Sequence, residues 1–346
     1  MIGYYIVFGL LGALAVYVLA MVFINQQPSL TKTPVIDDKR IEEHNQHVPW
    51  QQGPNKIFEG VTLATAKKLM NTSFASHSNL SKCNVDESLV IPESFDAREK
   101  WATCVLPTAN QQNTCGSSYA ITISQTIAER ICINSKNQKL VQLSAQELLS
   151  CDLTNQGCKG GYLNNALEYI RNKGLVDETC FPYQADSETV KCDQMCANPT
   201  RGFIDGYCVL FGEDDIKRDI LKNGPVVAVS QVYVDYLTYK SGVYTKSDEI
   251  ARFSGFHSMK IVGWGVESGS ENEPNKGNKY WIVQNSWGED WGENGYSRVS
   301  IGQELMLDQY AYSIRVRPEI DLEAIKAQAD KTTETTEDIE DLEETK

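Results

Sequence analysis

The sequence predicts an α+β fold with an N-terminal transmembrane helix, and three observations carry that expectation. Helical periodicity comes first: it runs over Ser118–Ile133 and Ser144–Ser150, with shorter stretches at Asn164–Lys173 and Asp215–Leu221. Strand-like runs follow at Val226–Val229, Met259–Val262 and Tyr280–Gln284. Ahead of both stands an uncharged, almost wholly apolar stretch from Ile2 to Ile24.

In chain order, the 346 residues divide into four parts: 1–24, 25–90, 91–317 and 318–346. As a helix, the first part would be about 35 Å long, enough to cross a ~30 Å hydrocarbon layer. A signal peptide carries a basic start and a shorter apolar run, and neither is present here. An uncleaved anchor is therefore expected, with a cleaved signal as the alternative. Residues 25–90 are polar, with a helical stretch at Thr62–Leu69 and glycosylation sequons at Asn71 and Asn79. Residues 91–317 read as the globular domain, closed by Pro318 and interrupted by a polar loop at Ser268–Asn278. The tail from residue 318 is acidic, with a candidate helix at Leu322–Ala329.

Net charge is −14, and the stretch from Glu319 to Lys346 holds eleven acids against three lysines. No basic stripe appears, which argues against a nucleic-acid partner. The ten cysteines include no C-x2-C pair, and three of the four histidines precede residue 78. That pattern favours disulfides over zinc, and neither a metal nor a cofactor is expected. Disulfides imply an oxidising compartment: a secretory or lysosomal lumen, the exterior or, as an alternative, the mitochondrial intermembrane space.

Several ordered segments carry a resemblance. They are Ile91-Pro92-Glu93-Ser94-Phe95-Asp96-Ala97-Arg98-Glu99-Lys100-Trp101, Cys115-Gly116-Ser117-Ser118-Tyr119, Leu143-Ser144-Ala145-Gln146-Glu147-Leu148-Leu149, Gly157-Cys158-Lys159-Gly160-Gly161-Tyr162, Asn285-Ser286-Trp287-Gly288 and Trp291-Gly292-Glu293-Asn294-Gly295-Tyr296. Together they resemble the papain family of cysteine proteases over 91 to about 317, in the manner of cathepsins B and C. The resemblance implies a two-lobed fold, one lobe helical and one a β-barrel. It also implies that residues 25–90, with Trp50-Gln51-Gln52-Gly53, act as a propeptide lying along the cleft. It places Ser118 at the nucleophile position, where the family has cysteine. It gives His257 as general base, Asn285 as its orienter, Gln112 as oxyanion donor and Trp287 as a shield for the His–Asn pair. By the same resemblance the pairs are Cys104–Cys132, Cys115–Cys158, Cys151–Cys192 and Cys180–Cys196. Cys83 and Cys208 remain, either paired or free. The insertion that caps the cathepsin B cleft is missing, since Cys192 follows Cys151 by only 41 positions with no His between them.

Sulfur matters to this chemistry. A thiol is acidic enough to rest as thiolate beside an imidazolium, whereas a serine hydroxyl is not. Serine proteases compensate with an aspartate behind the histidine, and replacing that Asp with Asn costs about 10⁴ in kcat. Here the orienter is a neutral Asn. Tyr119 and Asn113 depart further from the family pattern, which has Trp and Gly there. The sequence therefore predicts an inactive, membrane-anchored peptidase homologue with protein partners. The alternative is a weak serine-nucleophile hydrolase using Ser118, His257, Asn285 and Gln112.

Overall fold

A computed structural model describes residues 30–73, 80–111, 114–135, 139–197, 199–247, 253–268, 277–302, 305–309 and 311–317. In chain order the elements begin with α1 (Asp38–Asn45), β1 (Gln51–Gln52), α2 (Leu63–Ala66), β2 (Thr72–Ser73), β3 (Phe95–Asp96), α3 (Ala97–Lys100), α4 (Ser118–Asn134), α5 (Ala145–Cys151), β4 (Gly161–Tyr162), α6 (Leu163–Lys173), β5 (Leu175–Val176) and β6 (Arg201–Gly202). There follow β7 (Ile204–Leu210), α7 (Gly212–Asn223), β8 (Val226–Tyr233), β9 (Tyr239–Ser241), β10 (Val243–Tyr244), β11 (Phe253–Val266), β12 (Lys279–Gln284), β13 (Tyr296–Ser300) and β14 (Ala311–Val316).

Helix α4 is buried along almost its whole length, polar residues included. A helix without a solvent face belongs at the centre of its lobe. Its two charged residues are each paired across to other elements. Glu129 meets Lys260 of β11, and Arg130 meets Asp219 of α7 and the carbonyls of Gly224, Pro225 and Ile314. These buried pairs lock the helical lobe to the sheet. Helix α5 starts on Ser144, whose Oγ accepts from the Glu147 N–H at 3.1 Å, an N-cap bond.

The main sheet runs β10-β13-β12-β11-β8-β14-β7, with β3 also paired to β11. Its pairs are antiparallel except β10 with β13. Successive strand residues face opposite ways. On β8, Val226, Ala228 and Val232 join a core holding Trp264, Trp281, Trp287 and Trp291, while Val227 and Val229 join the core beneath α4. With both faces covered, the strand reads as a continuous apolar run.

The helices expected at Ser118, Ser144 and Asn164 form within a residue or two of the expected bounds. The one expected at Asp215–Leu221 extends to Gly212–Asn223, with Glu213, Asp214 and Asp215 in its first turn, where the helix dipole favours acids. The run at Met259–Val262 proves to be the middle of a 14-residue strand. Residues 30–73 are well packed despite their polar composition. Val35, Trp50, Phe58, Leu63, Ala66, Leu69 and Met70 all lie in the sheet-side core. Trp50 is fully buried against Tyr239 and Tyr244, and its Nε1 donates to the Thr245 carbonyl at 3.0 Å.

All ten cysteines are bridged: the four pairs implied by the resemblance form, and Cys83 pairs with Cys208. Such a set suits an oxidising compartment. The expected anchor at 1–24, the acidic tail from 318 and most of the loop at Ser268–Asn278 lie outside the described residues. Among the described residues no helix is long and apolar enough to cross a membrane.

Candidate active site

Ser118 is the first residue of α4, so its backbone N–H is one of the amides a helix leaves unbonded at its start. The loop before it is fixed by the Cys115–Cys158 bridge and by Gly116 N–H donating to the Cys158 carbonyl at 2.8 Å. One turn into the helix, Thr122 Oγ1 donates to the Ser258 carbonyl at 3.2 Å, holding the helix start against β11. His257 projects from that strand, beside Ser258. Asn285 follows the end of β12, its N–H donating to the Gly295 carbonyl at 3.0 Å. Residues 118, 257 and 285, far apart in sequence, thus meet where α4 touches the sheet.

The His–Asn pair is formed. His257 Nε2 lies 2.9 Å from Asn285 Oδ1. Ser286 N–H also donates to that same Asn285 atom at 2.8 Å, so the atom must be the amide oxygen. Nε2 therefore carries the proton and donates, leaving Nδ1 as the bare, basic nitrogen. Trp287 covers the pair, its ring centroid 4.8 Å from that of His257. Burial pushes the imidazole pKa down to about 4, opposed in part by the Asn285 hydrogen bond and the Leu69 backbone. At neutral pH the ring is uncharged.

Ser118 does not engage that base. Its Oγ lies 2.8 Å from Thr72 Oγ1 and accepts from Ser258 N–H at 3.4 Å. His257 Nδ1 makes no hydrogen bond among the described residues. Ser118 and His257 are both 0% exposed, and Thr72 is 2% exposed. The cover comes from residues 69–73. Strand β2 runs parallel to β4, placing Thr72 opposite Gly161, and Asn71 bridges to Phe256. Glycines permit this approach. A Cβ on Gly160, where φ is +105°, would stand 2.0 Å from the Asn71 carbonyl oxygen, and one on Gly255 would stand 2.5 Å from that of Met70. Asn71 of the first sequon sits in this strap, its Nδ2 donating to the Lys159 carbonyl; Asn79 lies outside the described residues.

Gln112 and Asn113 lie outside the described residues as well. Among the described residues, Gln111, the neighbour of Gln112, lies close to the His–Asn pair, through Ser286. Gln111 N–H donates to the Ser286 carbonyl at 2.8 Å, which turns the fully buried side chain inward. Its Oε1 accepts from Ser286 Oγ at 2.9 Å, and its Nε2 donates to the carbonyls of Cys115 at 2.9 Å and Leu69 at 3.2 Å. Ser286 Oγ is in turn 3.4 Å from His257 Nε2. Tyr183 braces the other side, donating to the Gln111 carbonyl at 2.6 Å with Ser117 Oγ at 2.5 Å. Sequence reasoning missed Thr72, Gln111, Ser258, Ser286 and Tyr183 as site residues. Only Gln111 had a signal, a second glutamine one position from the expected one.

Residues 91–314 match the family model for papain family cysteine protease. The chain is 34% identical over 276 residues to cathepsin B-like cysteine proteinase 1 of Ostertagia ostertagi, covering 68% of this chain and 78% of that protein. It is 33% identical over 266 residues to a gut-specific cysteine proteinase of Caenorhabditis elegans, with the same coverage of 68% and 78%. Among solved structures it is similar to procathepsin B S9 from Trypanosoma congolense, with a TM-score of 0.73, 30% identity, and coverage of 83% of this chain and 100% of that one.

Proposed function

Since this chain belongs to the papain family of cysteine proteases, we propose that it is a catalytically inactive member with a binding or structural role. Residues 1–24 hold it at a membrane, with the disulfide-bonded domain on the oxidising side, as part of a larger protein assembly. The observation that carries the reading is Ser118. Its hydroxyl is committed to Thr72 and to the Ser258 amide, while the histidine beside it is neutral and unengaged through Nδ1. A resting ion pair of the papain kind needs an acidic thiol, which this position lacks. Attack by a hydroxyl needs a base stabilised once it is charged, and Asn285 offers a neutral carbonyl for that task.

A second reading keeps a weak serine-nucleophile hydrolase, because the His257–Asn285 pair is intact at 2.9 Å. In that reading Gln112 serves as the oxyanion donor. Hydrolysis of a broad fluorogenic peptide library separates the two. The proteins compared are wild type, Ser118→Ala and Ser118→Cys, each with and without residues 30–73. Inactivity predicts that wild type equals Ser118→Ala. Turnover by wild type above Ser118→Ala overturns it.

A further inference from the structure

The segment that fills the cleft is also bonded covalently to the domain it covers. Cys83 lies before Ile91, where the protease-like domain begins, and pairs with Cys208 of β7 across 125 residues. The bridge sits within ordered backbone. Cys83 N–H donates to the Val209 carbonyl at 2.9 Å, and Val209 N–H donates to the Ser81 carbonyl at 3.0 Å, so residues 81–83 lie along β7. Lys82 reaches Asp215 at 3.2 Å, and Lys222 reaches Asp86 at 3.5 Å. Cys83 itself is 7% exposed and belongs to the sheet-side core.

Beyond the bridge the chain changes character. From Asn84 to Ser94 it forms no helix or strand, and Val90 is 88% exposed. Exposed irregular backbone of this kind is where proteases cut. A cut there separates the chain up to Cys83 from the domain in sequence but not in covalent structure.

We propose that the Cys83–Cys208 bridge makes the cleft-filling segment a permanent subunit of the protein, retained after cleavage at the domain boundary. Cleavage alone leaves Thr72 on Ser118. Release takes a second event, reduction of the bridge: a dithiol supplies two electrons and two protons, becomes a disulfide itself, and leaves Cys83 and Cys208 as thiols. While the bridge stands, the segment's return to the cleft is intramolecular, with an effective concentration on the order of mM. The inference rests on residues 69–73 occupying the cleft and not on Ser118 being inert. Peptide turnover by wild type would remove the inactive reading and leave the tether standing.

The test places a site-specific protease sequence over Glu87–Leu89 of the full chain and adds Ser118→Cys as a thiol reporter in the cleft. A second version also carries Cys83→Ser and Cys208→Ser. Both are cut, dialysed and alkylated with iodoacetamide. The bridged protein is expected to keep the mass of the whole chain plus one water under denaturing, non-reducing conditions, and to split only on reduction. Its reporter is expected to alkylate at least about tenfold more slowly than in the unbridged version, which loses its fragment. Equal alkylation rates, or a cut unbridged protein that keeps its fragment, overturn the proposal. So does a fragment that leaves the bridged protein without reductant, a result readable even if the unbridged version does not fold.

Discussion

Replacing His257 with glutamine isolates the charge state of the base. The ring is fully buried, and its pKa falls from an ordinary 6.5 to about 4 through burial, with no charged group among the causes. As pH falls below 6.5 the unfolded chain takes up a proton that the folded chain refuses until about pH 4. Stability from this group is therefore whole above 6.5 and drains away between 6.5 and 4. At 1.36 kcal/mol per pKa unit, the loss comes to about 3 kcal/mol. Glutamine does not titrate, and its amide can still donate to Asn285 Oδ1. Asp235 pulls the other way: burial raises it to about 6, so it disfavours the folded state as pH rises from about 4 to 6. The wild-type profile hides one trend behind the other, but Asp235 is common to both proteins and cancels in the difference. Urea unfolding with disulfides intact, at pH 7.5 and pH 4, is expected to show His257→Gln gaining about 3 kcal/mol relative to wild type at the lower pH. A difference that stays constant to within about 0.5 kcal/mol would refute the reasoning, because it would mean the imidazole is solvated or already charged.

Three further outcomes follow from the geometry. Thr72→Val deletes the hydroxyl facing Ser118 and is expected to cost about 1 kcal/mol in unfolding experiments, with little change elsewhere. Glu129→Gln leaves buried Lys260 without its counter-charge and is expected to cost about 3–5 kcal/mol, whereas Glu129→Leu with Lys260→Met recovers most of that loss. Gly255→Ala sets a methyl 2.5 Å from the Met70 carbonyl oxygen and is expected to displace residues 69–73, read as faster amide exchange there and unchanged exchange in α4.

How much of this was legible follows from how local each signal is. Ser118, His257 and Asn285 sit in short motifs whose glycines, cysteines and tryptophans serve the same turns and covers, so each could be found from its neighbours. Thr72 touches Ser118 across 46 residues, and no local pattern encodes that contact. Gln111 is turned inward by backbone pairing to Ser286, a contact across 175 residues that no local pattern encodes. Residues 25–90 resemble a propeptide, but their few apolar residues carry no period that would mark a packed element. Each of Val35, Trp50, Phe58 and Leu69 is nonetheless a single anchor in the sheet-side core, not part of an amphipathic face. Strand β7 has no clear sequence signal because Asp205, Gly206, Tyr207 and Cys208 break its apolar alternation: Asp205 is exposed, Tyr207 is half-buried with its hydroxyl on Glu168, and Cys208 is bridged.

The exchange of sulfur for oxygen at position 118 has two sides, and they point the same way under the proposed function. A thiol is a weak hydrogen-bond donor and acceptor but a strong nucleophile once ionised, while a hydroxyl offers one good donor and two acceptor sites. In this cleft the hydroxyl uses them: it accepts from Ser258 N–H and hydrogen-bonds with the Thr72 hydroxyl, both in a buried setting where unmet polar groups are costly. Cysteine here would gain attack and loosen the strap; serine loses attack and secures it. The same cleft then favours its own segment over a passing peptide, and the Cys83–Cys208 bridge acts in the same direction by keeping that segment at hand. On this reading Ser118→Cys changes two observables together: alkylation at residue 118 appears, and amide exchange at residues 71–73 quickens. A cysteine variant whose strap exchanges as slowly as wild type would show that the hydroxyl is incidental to retention, and would leave the segment's hold to its anchors in the sheet-side core and to the bridge.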